Sequence, residues 1–188
     1  MRLLAISGSL RRESHNTRLL REVAEQAPPG VEVEYFEGLK AIPPYDEDDD
    51  VEPAPAAVTE LRESIARADA ILIATPEYNS SVPGVLKNAI DWASRPRAAT
   101  PLQGKPAAVI GATTGSFGAV WAQAELRKVL ASSGARVIEQ GVALPSCPKE
   151  AAAAQGDLPA EYLTAGRTVI EALMGEATAD AAPQPIAA

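Results

Sequence analysis

Short apolar segments alternate with amphipathic ones along most of the chain. Five of them read as strands: Arg2 to Ile6, Val31 to Phe36, Ala70 to Thr75, Ala107 to Ala112 and a weaker one from Arg136 to Leu144. The third, Ala-Ile-Leu-Ile-Ala-Thr, is apolar at nearly every position, as a strand covered on both faces must be. The stretches between them carry a helical period. Asn16 to Gln26 repeats apolar residues at Leu19, Leu20 and Val23, and Val58 to Ala68 does so at Val58, Leu61 and Ile65. Pro83 to Ala93 presents Val85, Leu86, Ala89, Ile90 and Ala93 on one face, with Ser80 or Ser81 placed to cap it. Phe117 to Ser132 is a fourth helix stopped by Gly134, and a fifth begins near Pro159 and includes Tyr162, Leu163, Val169, Ile170 and Leu173.

Strand alternating with helix predicts an α/β fold: a doubly wound, five-stranded parallel sheet with helices on both faces, its order taken as 2-1-3-4-5. Residues 1–175 then form a single domain. The Ala-, Pro- and Gln-rich stretch 176–188 has little to bury and is expected to be a disordered tail.

Composition narrows the class. A chain of 188 residues with 46% hydrophobic and 22% charged residues can bury a core without metals or disulfides. The net charge of −8 argues against nucleic acid and anionic membranes as partners, and no apolar run is long enough to span a bilayer. Because the apolar N-terminal run is too short for a signal peptide and Cys147 stands alone, the expected location is the cytoplasm. The acidic run Asp46 to Asp50 with Glu52 lies among prolines and is expected to be a solvated loop; it lacks the spaced ligands of a calcium loop, and no metal site is expected.

Polar chemistry gathers where strands one, three and four end. After the first comes Gly8-Ser9-Leu10-Arg11-Arg12-Glu13-Ser14-His15-Asn16-Thr17, a hydroxyl- and amide-rich turn opening a helix, which suits a phosphate group. Ser14 or Asn16 could equally cap that helix. The turn lacks both the GKS/GKT ending and the GxGxxG pattern of the common nucleotide loops, so a mononucleotide phosphate fits better. After the third strand comes Pro76-Glu77-Tyr78-Asn79, and after the fourth Thr113-Thr114-Gly115-Ser116-Phe117-Gly118. In a sheet of order 2-1-3-4-5 all three lie at one edge, beside the switch point between strands one and three.

GSLRRESHNT, PEYNSSVPGVLKNAIDW and TTGSFG, in that order and spacing, resemble the NADPH-dependent FMN reductase family over roughly residues 2 to 174. The resemblance implies a flavodoxin-like fold, bound FMN, and a homodimer or homotetramer. It also implies hydride transfer from NADPH, or NADH, through the flavin to a small-molecule electron acceptor: a quinone, free flavin, azo compound or metal oxyanion such as chromate. It places Ser9, Arg11, Ser14, Asn16 and Thr17 at the FMN phosphate. Pro76, Glu77, Tyr78 and Asn79 fall beside the ribityl chain and ring, and Thr113, Thr114, Gly115 and Ser116 at the pyrimidine side. No protein acid or base is required, because the flavin carries the chemistry. Glu77 stays open between ligand contact, helix cap and interface charge, and Tyr78 between ligand contact and packing.

One departure stands out. Many relatives continue the third loop with paired glycines and an arginine, where this chain has Gly118, Ala119, Val120 and Trp121. Trp121 then faces the nicotinamide or acceptor pocket, a subunit interface or the core, with interface or core packing the favoured reading. Arg95 and Arg97 have three open readings: the extra phosphate of NADPH, a neighbouring subunit, or solvent. Two other classes compete with the enzyme, a flavodoxin-type electron carrier and an FMN-sensing interaction module. The carrier is disfavoured because only 4% of residues are aromatic, too few to supply a ring sandwich readily.

Overall fold

The computed structural model describes residues 1–147 and 158–181. Its strands are β1 (Arg2–Ser7), β2 (Glu32–Phe36), β3 (Ala70–Ala74), β4 (Pro106–Ala112), β5 (Arg136–Val137) and β6 (Ala143–Leu144). The helices are α1 (His15–Ala24), α2 (Ala56–Arg67), α3 (Gly84–Ala93), α4 (Val120–Ser132) and α5 (Ala160–Ala181). The sheet is parallel, and its order β2-β1-β3-β4-β5 is the expected one, with β6 also pairing with β4.

Side-chain alternation along the central strands builds two cores. Leu4 and Ile6, Ile71 and Ile73, and Ala107 and Val109 face Val58, Leu61 and Ile65 of α2, Leu86 and Ile90 of α3, and Leu126 and Leu130 of α4. Leu3 and Ala5, Leu72 and Ala74, and Ala108 and Ile110 face Leu19, Leu20 and Val23 of α1 and Val169, Ile170 and Leu173 of α5. Each fully buried leucine or isoleucine contributes about 1.5–3 kcal/mol, so both layers hold the sheet's position firmly.

The expected fifth strand, Arg136 to Leu144, is broken in two. Its offset from β4 grows from 30 residues at Ala107↔Val137 to 32 at Gly111↔Ala143, so two extra residues loop out between β5 and β6. Arg127 of α4 fills the gap: its Nη2 donates to the Val109 carbonyl at 3.0 Å, which the strand has left unpaired. A Cβ on Gly141 would stand 2.3 Å from that nitrogen, so only glycine passes there without moving the guanidinium.

Other boundaries also differ from expectation. The cap of α3 is the backbone of Pro83, with neither serine engaged, and α4 begins at Val120 instead of Phe117. Where the tail was expected to fray beyond Gly175, α5 continues to Ala181 and Arg136 donates to the Glu176 carbonyl at 2.9 Å; residues 182–188 lie outside the described residues. The acidic loop is not wholly solvated, because Asp50 pairs with Arg62 at 2.8 Å while Arg62 also donates to the Trp92 carbonyl. Trp92 itself is fully buried, its indole N–H on the Pro43 carbonyl at 2.8 Å, which removes it from any interface.

Candidate functional site

Three loops leave the carboxyl edge of the sheet and are braced to one another. Gly8, following β1, donates its N–H to the Ala74 carbonyl at the end of β3 (2.8 Å). A Cβ there would lie 2.7 Å from Leu86 Cδ2 of α3 and 3.3 Å from the Ala74 carbonyl oxygen, so a larger residue would have to push that leucine aside for the loop to come this close. Asn16, buried in the first turn of α1, spans to the end of β4. Its Oδ1 accepts from the Ala112 N–H at 2.8 Å and its Nδ2 donates to the Ala112 carbonyl at 2.9 Å. Glu77, in the loop after β3, reaches the start of α4, where one carboxylate oxygen accepts from the N–H groups of Trp121 (3.1 Å) and Ala122 (3.0 Å).

Glu77 therefore caps a helix whose own N-cap residue, Ala119, has no side chain able to do so. The sequence pattern does not announce this, because it starts α4 at Phe117, directly after the potential cap Ser116, and the lack of a local cap shows only once the helix start is placed at Val120. Asn16 had no signal either, because its partner is 96 residues away. Its amide is committed to the β4 backbone instead of standing open to a ligand.

The first loop is rich in donors. Ser14 is the N-cap of α1, its Oγ accepting from the Thr17 N–H at 3.2 Å. Ser7 Oγ and Thr17 Oγ1 share a 2.7 Å hydrogen bond, and Ser9 Oγ accepts from the Arg11 N–H at 3.3 Å. Arg11 and Arg12 are exposed and, among the described residues, have no carboxylate partner. Two uncompensated guanidinium groups, several hydroxyls and a helix N-terminus make a donor set that suits a dianionic phosphate.

In the second loop Pro76 is buried, and Tyr78 and Ser81 exchange backbone hydrogen bonds of 3.1 Å around a two-residue turn. Asn79 and Ser80 occupy that turn at φ 53° and 59°, the left-handed region a tight hairpin demands. Tyr78 is 55% exposed and is not core packing. In the third loop the Thr113 N–H donates to the Leu144 carbonyl (3.0 Å), and its own carbonyl accepts from the Cys147 N–H (2.9 Å). The Gly115 carbonyl accepts from the Ser146 N–H at 2.7 Å, and its N–H donates to Thr113 Oγ1 at 3.2 Å. Much of this loop's backbone is therefore held by a fourth segment, Pro145–Cys147, that sequence reasoning did not assign to the site. Thr114 and Ser116 remain exposed. Burial raises the pKa of the Cys147 thiol, in keeping with a packing role.

The sequence model of the NADPH-dependent FMN reductases matches residues 1–149. The chain belongs to that family. It is 46% identical over 158 residues to an NAD(P)H-dependent FMN reductase of Pseudomonas aeruginosa, covering 84% of each chain. It is also 42% identical over 131 residues to a 2-hydroxy-1,4-benzoquinone reductase of a Burkholderia species, covering 70% of each. Among solved structures it is similar to FerB, a flavoenzyme NAD(P)H:acceptor oxidoreductase of Paracoccus denitrificans: 34% identity, TM-score 0.83, covering 95% of this chain and 97% of that one. As a member of the FMN reductase family the protein is an FMN-dependent NAD(P)H oxidoreductase with a flavodoxin-like fold.

Proposed function

We propose that this FMN reductase family member holds FMN at the three braced loops and passes electrons from NADPH, or NADH, to a quinone. Free flavin, azo compounds and chromate are the further acceptors open to the same chemistry. The observation that carries the reading is the first loop, where Arg11 and Arg12 stand without carboxylate partners beside the N-terminus of α1. Arg11, Ser9, Ser14 and Thr17 bind the phosphate, and Asn16 positions them. Pro76, Tyr78 and Asn79 line the second wall, with Glu77 bracing it from behind. Thr113, Thr114, Gly115 and Ser116 form the third. FMN bound here supplies hydride acceptance and electron delivery, so the chain's own residues need only bind, orient and leave one side open.

The acceptor class is supported by the quinone reductases among the relatives. A single flavin-binding domain over residues 1–175, working in the cytoplasm as a homodimer or homotetramer, completes the reading. The oligomer is supported by Leu10, Val85 and Val120, apolar side chains left exposed. No helix of the described residues is long and apolar enough to cross a membrane. The deciding experiment mixes the FMN-loaded protein anaerobically with NADPH and follows flavin absorbance. Bleaching within seconds, reversed by adding a quinone, is the expected result; a flavin still oxidised after minutes with either nicotinamide cofactor would sink the oxidoreductase reading. Light scattering measures the assembly, and a monomer at micromolar concentration would exclude it.

A further inference from the structure

We infer that Phe117 and Trp121 form an acceptor-selecting wall that takes neutral, planar quinones in preference to anionic oxidants, an inference resting on the oxidoreductase reading above. The three most exposed aromatic side chains among the described residues are Phe117 (62%), Tyr78 (55%) and Trp121 (49%), and all three stand on the second and third loops or the helix turn that follows. Phe117 and Trp121 meet edge to face, ring centroids 5.1 Å apart at 68°. Their place is fixed from below, because Glu77 holds the Trp121 backbone N–H. The pair therefore stands on the third loop at the point where Glu77 ties it to the second, the two loops proposed to border the ring.

The other indole supplies the contrast. Trp92 is fully buried with its N–H on a backbone carbonyl, which is how this chain treats a tryptophan that serves packing. Trp121 keeps half its surface in solvent, and among the described residues its indole N–H has no partner. An exposed π-face beside an uncommitted donor is complementary to a quinone, which offers a flat ring and a carbonyl acceptor. Residues 113–123 contain no lysine, arginine, aspartate or glutamate. Nothing on this wall compensates the charge of an oxyanion such as chromate.

The test compares FMN-loaded wild type with Trp121→Ala and Trp121→Phe, using 2-methyl-1,4-naphthoquinone and chromate as oxidants. Stacking of this kind predicts that Trp121→Ala lowers the ratio of kcat/KM for naphthoquinone to that for chromate by about tenfold, through the quinone KM, with Trp121→Phe recovering most of it. A second readout needs no turnover. Titrating the oxidised holoprotein with the naphthoquinone in the absence of NADPH should quench indole fluorescence saturably, and that component should vanish in Trp121→Phe, where only Trp92 remains. A ratio shift below twofold, a quench that never saturates, or a change in molecular mass in Trp121→Ala would overturn the inference, the last by assigning Trp121 to an interface between copies. Failure of NADPH to bleach the wild-type flavin would overturn the oxidoreductase reading instead, and the fluorescence titration would still decide the wall.

Discussion

Helices α1 and α4 both begin at the carboxyl edge of the sheet, directly after a strand, yet their N-termini are satisfied in opposite ways. In α1 the cap is local and neutral: Ser14 accepts from the Thr17 N–H, three residues on. In α4 it is remote and anionic, since the Glu77 carboxylate arrives from another loop to take the N–H groups of Trp121 and Ala122. A helix N-terminus carries about half a positive charge. At α4 a carboxylate already answers that charge, whereas at α1 Arg11 and Arg12 add to it. Two geometrically similar helix starts thus differ in electrostatic sign, and of the two only the first has the charge to suit the phosphate proposed for it.

The largest test removes the brace common to both ends. Asn16→Ala leaves the buried Ala112 N–H and carbonyl without partners, and each such group costs about 1–3 kcal/mol. Unfolding in urea should therefore show a loss of about 2–4 kcal/mol with an unchanged m-value. A loss under about 1 kcal/mol would mean that Ala112 finds other partners and that α1 does not depend on β4 for its position.

Next comes the sign difference itself. Replacing Arg11 and Arg12 together by alanine should weaken FMN binding about 10- to 100-fold, as expected for the loss of charge-assisted hydrogen bonds worth about 1.5–3 kcal/mol. Riboflavin, which lacks the phosphate, should bind both proteins alike. Equal losses for the two flavins would move the phosphate away from α1.

The two caps can then be compared directly. Glu77→Ala removes the acceptor of two N–H groups and should destabilise the fold by about 1–2 kcal/mol, while Glu77→Gln, which keeps an acceptor without the charge, should lose about half as much. Ser14→Ala should cost about 1 kcal/mol. Should Glu77→Gln lose as much as Glu77→Ala, the carboxylate charge, and not the acceptor geometry, would be what α4 requires.

These contacts show where sequence reasoning reached and where it stopped. The two cores were legible because strands apolar at successive positions, such as Leu3 and Leu4 or Ile71 and Leu72, must bury both faces of the sheet. Glu77 as a helix cap was only half legible, because the pattern starts α4 at Phe117, directly after Ser116, and the missing cap residue shows only with the start at Val120. The break between β5 and β6 was not, since it depends on Arg127 of α4 inserting beside Gly141, a contact between elements that no local pattern announces. The α5 extension to Ala181 was missed because alanine offers little apolar surface, although its helix propensity is the highest of all residues. At the site, the motifs marked three loops that the structure brings together at one sheet edge, but not the contacts that brace them. Asn16 and Glu77 look like ligand donors in sequence, and they act as braces because their partners lie across the sheet edge.

The smallest effect concerns the turn that carries Tyr78. Asn79 and Ser80 both adopt positive φ, and of the two, serine is the poorer choice, because asparagine tolerates the left-handed region better and glycine suits the second position of such a turn. Ser80→Gly should therefore stabilise the protein by roughly 0.5–1 kcal/mol, partly offset by the greater freedom of glycine when unfolded, and raise Tm by roughly 2–4 °C. Because Glu77 anchors the loop from one side and the Tyr78–Ser81 backbone pair closes it from the other, relieving strain at its tip should leave FMN affinity within about twofold. A Tm gain accompanied by a large loss of affinity would show that the Ser80 side chain itself touches the flavin, and the second loop would then be a ligand donor at its tip as well as a brace at its base.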